Sequence, residues 1–166
     1  MTTEMTSDVA ERFISQSRQK LSEHLIRIER CVELLTDEQV WWRPNEASNS
    51  IGNLLLHLAG NIRQYFISGL GGTPDTRNRP QEFGERAQLP KAELLAKLKA
   101  TVTEADAVLA GFDREKLLEQ RHIQNQDWVV LDAVYQITGH LMLHTGQIML
   151  ITKTLTAKDL GLTRLK

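Results

Sequence analysis

The sequence predicts an all-α fold, a four-helix bundle in which long loops cross over between helices. Three observations support this prediction. Apolar residues recur at steps of three, four and seven in four long stretches, the pattern of helices with one buried face. Connections that contain Pro and Gly separate the stretches, and two of them are too long to be simple turns. No segment shows convincing alternation of apolar and polar residues, so no sheet is expected.

The composition fits one domain that spans residues 1–166. Of the 166 residues, 41% are hydrophobic and 25% are charged, which suffices for a core and a charged surface. The net charge of −1 lacks the basic excess that nucleic-acid binding requires, so no nucleic-acid partner is expected. A single cysteine excludes an intrachain disulfide and a cysteine-rich zinc site. The polar N-terminus and the lack of a run of about 20 apolar residues predict a cytoplasmic protein with no membrane partner.

The first half of the chain predicts two helices. The first runs from about 7 to 35 and carries an apolar stripe along its length. A capping-box pattern at 36–39 predicts one short turn after it. The chain must then leave helical geometry before Pro44, because proline restricts the residue that precedes it. Polar residues at 48–50 offer N-caps for a second helix, which runs from 51 to about 69.

The second half predicts two more helices and two long connections. Residues 71–80 are dense in turn-forming residues and predict an ordered loop. The third helix covers 90–111, because its proline suits the first turn of a helix. Residues 112–128 form the second connection, and the apolar run at 128–131, where it ends, could pass locally for a strand. The fourth helix covers about 130–153.

Three of the five histidines lie in apolar helical runs. His140 and His144 are four residues apart on the fourth helix, so both imidazoles project from one face and can share a metal ion. Gln147 extends this polar patch, and on the second helix His57 lies in another polar stripe, which includes Asn61. Buried polar groups without partners cost about 1–3 kcal/mol each, so we expect the two stripes to face each other. The alternatives are core histidines bonded to backbone carbonyls, or a polar surface groove.

A site of three histidines would be chemically competent. Three neutral nitrogen ligands leave a divalent ion with open positions, which can activate water or a thiol. Three imidazoles accept zinc, nickel, iron(II), copper or manganese, and zinc and nickel are the ions that we expect. By contrast, His24 and His122 lie in polar surroundings.

Four polar residues are candidates for supporting roles. Arg77 and Arg79 follow the glycine turn after the second helix, where they could fold over the site and bind a carboxylate of a thiol or substrate through paired donors. Surface ion pairs are the alternative for both. Asn61 and Gln147 could orient the ligands or the substrate, and the alternative for them is amides bonded within their helices.

Three further residues are expected to serve packing. Trp41 and Trp42 precede the second helix, where one indole could line a pocket while the other packs on the core. Core packing alone is the interpretation that we favour for the pair. Cys31 lies among apolar residues of the first helix and is expected to be buried and unreactive.

The motifs around the three histidines resemble the DinB-like (damage-inducible protein) superfamily. The resemblance rests on HLAGN at 57–61 and on HLMLHTGQI at 140–148, and it covers nearly the whole chain. Three further segments are similar to an uncharacterised branch of that superfamily: WRPNE at 42–46, NSI at 49–51 and DTRNR at 75–79.

The resemblance implies a four-helix bundle that holds one divalent metal ion through His57, His140 and His144. Characterised members include thiol-dependent S-transferases that use bacillithiol, mycothiol or glutathione, a maleylpyruvate isomerase and a metal-dependent hydrolase. We therefore expect a metal-dependent enzyme that transfers a low-molecular-weight thiol to small electrophiles, because a metal lowers the pKa of a thiol. A metal-dependent hydrolase and a non-catalytic, stress-associated metal-binding bundle are the alternatives. A homodimer through helix faces is also expected.

Overall fold

Six α-helices make up most of residues 2–162, the part of the chain that the computed structural model describes, with side chains described from residue 8. Their bounds are α1 (Thr2–Glu33), α2 (Asp37–Trp41), α3 (Ile51–Ile62), α4 (Arg79–Gly84), α5 (Lys91–Gly111) and α6 (Val130–Thr156). The helices α1 and α3 each pack against both α5 and α6. The predicted four-helix bundle is therefore confirmed. None of the helices in this range has the length and hydropathy needed to cross a membrane.

The apolar stripes predicted from periodicity form the core between the four main helices. Each fully buried aliphatic side chain contributes roughly 1.5–3 kcal/mol relative to an exposed one. Stripe residues that are at most 2% exposed include Leu21, Ile28 and Val32 of α1, Leu98 and Leu109 of α5, and Ile137, Leu141 and Ile148 of α6. Cys31 is buried among them, as predicted, and its burial raises the pKa of the thiol.

Two capping boxes fix the starts of α2 and α3. The Thr36 hydroxyl accepts a hydrogen bond from the backbone N–H of Gln39, whose side chain accepts one from the Thr36 N–H. Ser50 and Asn53 form the same reciprocal pair at the start of α3. Because these bonds satisfy donors that a helix start leaves unpaired, both starts lie where the sequence predicts them.

The predicted second helix is continuous but contains two hydrogen-bonding patterns. After α3 the chain forms a π-helical segment, Arg63–Leu70, without a break. The segment ends at Gly71, whose N–H donates to the carbonyl of Phe66, five residues back. The predicted end near residue 69 is thus close to the observed one.

The first long connection contains a helix that was not predicted. Residues 71–80 were expected to be a loop, and α4 begins at Arg79 within that range. The side chain of Asn78 accepts a hydrogen bond from the N–H of Gln81, and Pro80 lies in the first turn, where its missing N–H is not needed.

The second connection contains a β-hairpin, so the expectation of no sheet is wrong there. Strands β1 (Gln120–Ile123) and β2 (Gln126–Val129) pair antiparallel. The two loop residues, Gln124 and Asn125, have φ of 52° and 62°, as a two-residue hairpin turn requires. A turn without glycine between strands of four residues gives too little alternation to be recognised.

The hairpin packs on the π-helical segment Arg63–Leu70. Ile123 lies so close to Gly69 that a Cβ on that glycine would be 2.5 Å from its Cδ1 atom. The Trp128 ring packs edge-on against Tyr65 at 5.8 Å between centroids. Tyr65 also donates a hydrogen bond to the side chain of Gln124. The hairpin thus covers one end of the bundle.

Two expectations about individual residues need comment. His24 has polar neighbours in the sequence, but the structure buries it in α1, because its position on the helix faces the core. Trp41 is buried and donates its indole N–H to the carbonyl of Leu89, whereas Trp42 is exposed. Core packing is therefore the role of Trp41.

The contact between Trp41 and Gly52 gives a test of the fold. A Cβ on Gly52 would lie 2.9 Å from three carbon atoms of the indole, so Gly52→Ala should lower the free energy of unfolding by about 1–3 kcal/mol. Gly111→Ala is the matched control, because a Cβ there meets nothing within 4 Å. Urea denaturation measures both changes, and equal midpoints for the two variants would contradict the packing described here.

Candidate metal centre

Three histidine side chains from two helices converge on one point. His57 lies on α3, and His140 and His144 lie one turn apart on α6. Nε2 of His140 is 2.8 Å from Nε2 of His57 and 3.1 Å from Nε2 of His144. One ligand atom from each residue lies within 4.8 Å of the others, a geometry that could hold a metal ion. The structure thus brings the two polar stripes face to face.

In two of the rings the nitrogen that faces away from the cluster, Nδ1, lies beside a hydrogen-bond acceptor. The nitrogen that faces the cluster, Nε2, then carries no proton and can bind a metal ion through its lone pair. Nδ1 of His57 lies 3.1 Å from the Glu82 carboxylate, and Nδ1 of His144 lies 2.6 Å from Oε1 of Gln147. A neutral imidazole that donates from Nδ1 has a free lone pair on Nε2. The lone pairs of His57 and His144 therefore both lie close to Nε2 of His140, which carries at most one proton and can donate to only one of them, so a bound cation would stabilise the arrangement.

The environment keeps the α6 histidines neutral. Burial, together with the neighbouring His144, His57 and arginine charges, lowers the pKa of His140 to about 4. Burial also lowers the pKa of His144, against the opposing effect of the Gln147 hydrogen bond. Neutral imidazole is the form that binds metal, so both rings are in the binding state at neutral pH.

A buried ion pair supports His57 from behind. Arg77 donates from Nε and Nη2 to the two carboxylate oxygens of Glu82, both at 2.8 Å. The side chains of Arg77 and Glu82 are only 4% and 9% exposed. Burial alone would raise the pKa of Glu82, but hydrogen bonds from Arg77 and His57 outweigh it and lower that pKa. Glu82 is thus a carboxylate, ready to accept from the ring.

Arg77 also lies 3.1 Å from the ring of His57 through Nη2, so two groups compete for Nδ1. We assign the Nδ1 proton to the bond with Glu82, because a carboxylate can only accept. Nη2 of Arg77 still donates a hydrogen bond to Glu82, and Nη1 donates one to Gln64 at 2.7 Å. Gln64 in turn donates to Asp75, which extends the network to the loop before α4.

Gly60 makes room for this network. A Cβ on Gly60 would lie 1.9 Å from Oε1 of Glu82 and 3.1 Å from Nε of Arg77. Glycine inside a helix costs about 1 kcal/mol relative to alanine. The glycine of the HLAGN motif is therefore the sequence feature that indicates a close approach of other side chains to this helix. Nothing in the aperiodic segment around Glu82 marked that residue as the partner of His57.

The residues predicted to support the site differ in what they contact in the structure. Gln147 contacts His144 through Oε1, and its role in orienting that ring stays a prediction. The expectation that Arg77 folds over the site toward a substrate is wrong, because its guanidinium is bound to Glu82 and Gln64 behind His57. Asn61 is buried on α3, one turn after His57, and its Oδ1 atom has no hydrogen-bond partner among the described residues.

The exposed side of the cluster is bordered by α4. The Phe83 ring lies 4.7 Å from the His57 ring between centroids. Arg79 is exposed and places its guanidinium 5.1 Å from the centre of the Phe83 ring. His140 and His144 are half-buried, so part of the cluster is exposed to solvent.

A cavity of about 270 Å³ lies on the other side of the ion pair, between α3, the 75–89 segment and α5. Arg77 and Glu82 form part of its wall together with Arg63 and Lys97, but none of the three histidines does. The cavity and the histidine cluster are therefore separate spaces that share the ion pair as a boundary.

Breaking the ion pair should destabilise the protein. Glu82→Ala leaves the Arg77 guanidinium buried without its partner, so we expect a loss of about 3–5 kcal/mol in the free energy of unfolding. Glu85→Ala is the control on the same segment, because among the described residues that carboxylate accepts only from the backbone N–H groups of Arg86 and Ala87. Denaturant titration compares them, and similar losses would show that the pair is not buried in solution.

Comparison with known proteins identifies the family and the fold. The model of the protein family of unknown function DUF1572 matches residues 8–164. A DinB-like protein from Bacillus cereus ATCC 10987 superposes with a TM-score of 0.65 at 13% identity, over 82% of this chain and 89% of that chain. A DinB-like protein from Bacillus subtilis gives 0.66 at 14% identity, over 87% and 94%.

A conserved protein from Enterococcus faecalis gives a TM-score of 0.68 at 17% identity, over 87% of this chain and 97% of that chain. No curated protein matches. At these identities the likeness to solved structures concerns the fold, and it confirms the resemblance found in the sequence. The chain therefore belongs to the DUF1572 family of proteins of unknown function, an uncharacterised branch with the DinB-like fold.

Proposed function

We propose that this chain binds one divalent metal ion, zinc or nickel, through His57, His140 and His144. The observation that carries the proposal is the convergence of the Nε2 atoms of three histidine rings. In two of these rings, His57 and His144, the Nδ1 atom lies beside a hydrogen-bond acceptor. A metal bound there would act as a Lewis acid that lowers the pKa of a thiol or water.

Three protein ligands suit a reactive site better than a structural one. Among the described residues, the cluster contains three ligand groups and no fourth His, Cys, Asp or Glu. Structural zinc sites have four protein ligands, whereas catalytic sites have three and leave a position for a small molecule. The DinB-like fold is consistent with this assignment.

Within this chain, each supporting residue has a definable task. Glu82 accepts the Nδ1 proton of His57 and holds the ring, while Arg77 neutralises the buried carboxylate. Gln147 holds the ring of His144 in the same way. Of the two arginines predicted to bind a substrate, Arg79 is exposed beside Phe83 and has no ion-pair partner among the described residues, so it is the one that we propose to bind a carboxylate of a substrate or thiol.

We propose further that the reaction is transfer of a low-molecular-weight thiol to a small electrophile. The thiol loses its proton to solvent, its sulfur bonds to an electrophilic carbon, and the leaving group departs with the bonding electrons. Glu82 accepts from both Arg77 and His57 behind the His57 ring, so it is not placed to act as a general base for either reaction. The cytoplasm, where thiols stay reduced, is the proposed compartment.

A non-catalytic metal-binding bundle is the second candidate. The observation that favours it is that the cavity of about 270 Å³ is lined by none of the histidines. Association into homodimers is a separate proposal, which rests on the exposed face of α6.

Metal binding can be tested by elemental analysis of protein purified without a histidine tag. We expect about one zinc or nickel ion per chain, and a loss of affinity of at least about 100-fold in His140→Ala, because one of three ligands is removed. His122→Ala is the control, since His122 is exposed on β1 and pairs with Asp127. Equal metal content in the two variants would refute the site.

The reaction can be tested with the metal-loaded protein and a model electrophile, with and without bacillithiol, mycothiol or glutathione. We expect turnover only with a thiol, and none in His57→Ala. Arg79→Ala should raise the KM by about 10-fold at unchanged metal content, because one charged hydrogen bond is lost. Turnover of an ester without thiol would favour the hydrolase, and the absence of all turnover would favour the non-catalytic bundle.

A further inference from the structure

One face of α6 exposes large apolar side chains that no other part of the described structure covers. Tyr135, Met142, Leu143 and Leu150 are 72%, 43%, 61% and 67% exposed. Their spacing of seven or eight residues places them on one side of the helix, opposite the buried stripe of α6. A continuous apolar face of this kind is typical of a surface that binds another protein.

Two glycines lie on the same face. Gly139 and Gly146 are exposed, and a Cβ on either would meet nothing within 4 Å. Packing within the chain therefore does not require glycine at these positions, although glycine in a helix interior costs about 1 kcal/mol. Close approach of a second helix would account for both.

Charges occur only at the two ends of this face. Between Asp132 and Lys153, both exposed, the sequence contains no Asp, Glu, Lys or Arg for 20 residues. The ends of the face are thus oppositely charged, and its middle is neutral.

The face is symmetric about the point between residues 142 and 143. Residues at equal distances from that point form matched pairs: Met142 with Leu143, Gly139 with Gly146, Tyr135 with Leu150, and Asp132 with Lys153. Two copies of α6 that cross antiparallel at this point would place each residue opposite its matched counterpart. Glycine would face glycine, apolar residues would face apolar residues, and each aspartate would face a lysine.

We propose that α6 binds α6 of a second copy of this chain, antiparallel, in a two-fold symmetric homodimer. A parallel arrangement would place Asp132 opposite Asp132 and Lys153 opposite Lys153, so the charges select the antiparallel one. Leu143 lies about 60° around the helix from His140, so the partner helix would run beside the histidine cluster without covering it. The proposal does not depend on metal binding.

Sedimentation velocity of the full chain tests the dimer. We expect a dimer at micromolar concentration, and at least about 100-fold weaker association in Leu143→Glu, because two carboxylates would meet at the two-fold axis. Ile26→Glu is the matched control, since Ile26 is 57% exposed on α1, and it should remain dimeric. A monomeric wild-type chain at about 100 μM, or equal association of the two variants, would overturn the proposal.

Charge reversal tests the antiparallel register. Asp132→Lys and Lys153→Asp should each weaken association by about 10-fold, because each places like charges opposite at two symmetric positions. The double variant should recover the wild-type dissociation constant to within about 3-fold, because opposite charges face each other again. Circular dichroism checks that the variants are folded. Failure of the double variant to recover would overturn the antiparallel pairing.

Discussion

The buried carboxylate of Glu82 is the group on which the rest of the centre depends. It accepts two hydrogen bonds from Arg77 and faces Nδ1 of His57, so it joins the connection between α3 and α5 to the histidine cluster. A buried ion pair is often no more stabilising than apolar residues of the same volume. Its presence here is better explained by what it positions, since a ring held by a carboxylate presents its other nitrogen in a fixed direction.

The burial of α3 explains why the connection is ordered. Every residue from 51 to 59 is buried, including the polar Asn53 and His57, so these two side chains need hydrogen-bond partners within the protein. Asn53 donates to the carbonyls of Glu82 and Glu85, and His57 faces the Glu82 side chain. The segment around α4 thus provides the acceptors that solvent would provide on an exposed helix.

Sequence patterns predicted those parts of the molecule that repeat or that have a local chemical signature. Periodicity located the main helices, and the capping residues Thr36 and Ser50 located two helix starts. The meeting of the polar stripes followed from the cost of unpaired polar groups. The partnership of Arg77 with Glu82 could not be predicted, because it joins two irregular positions through burial. The hairpin was missed because Gln124 and Asn125 adopt positive φ without glycine.

The π-helical segment that follows α3 determines the directions in which the side chains of Gln64 and Tyr65 leave the helix. A π turn contains about one residue more than an α turn, so residues beyond it are rotated relative to a regular helix. Gln64 reaches Arg77 and Asp75 from this segment, while Tyr65 reaches the hairpin through Gln124. Loss of a single residue here would restore α geometry and rotate both side chains away from their partners. The contacts of Gln64 and Tyr65 therefore depend on the number of residues in this segment as well as on the residues themselves.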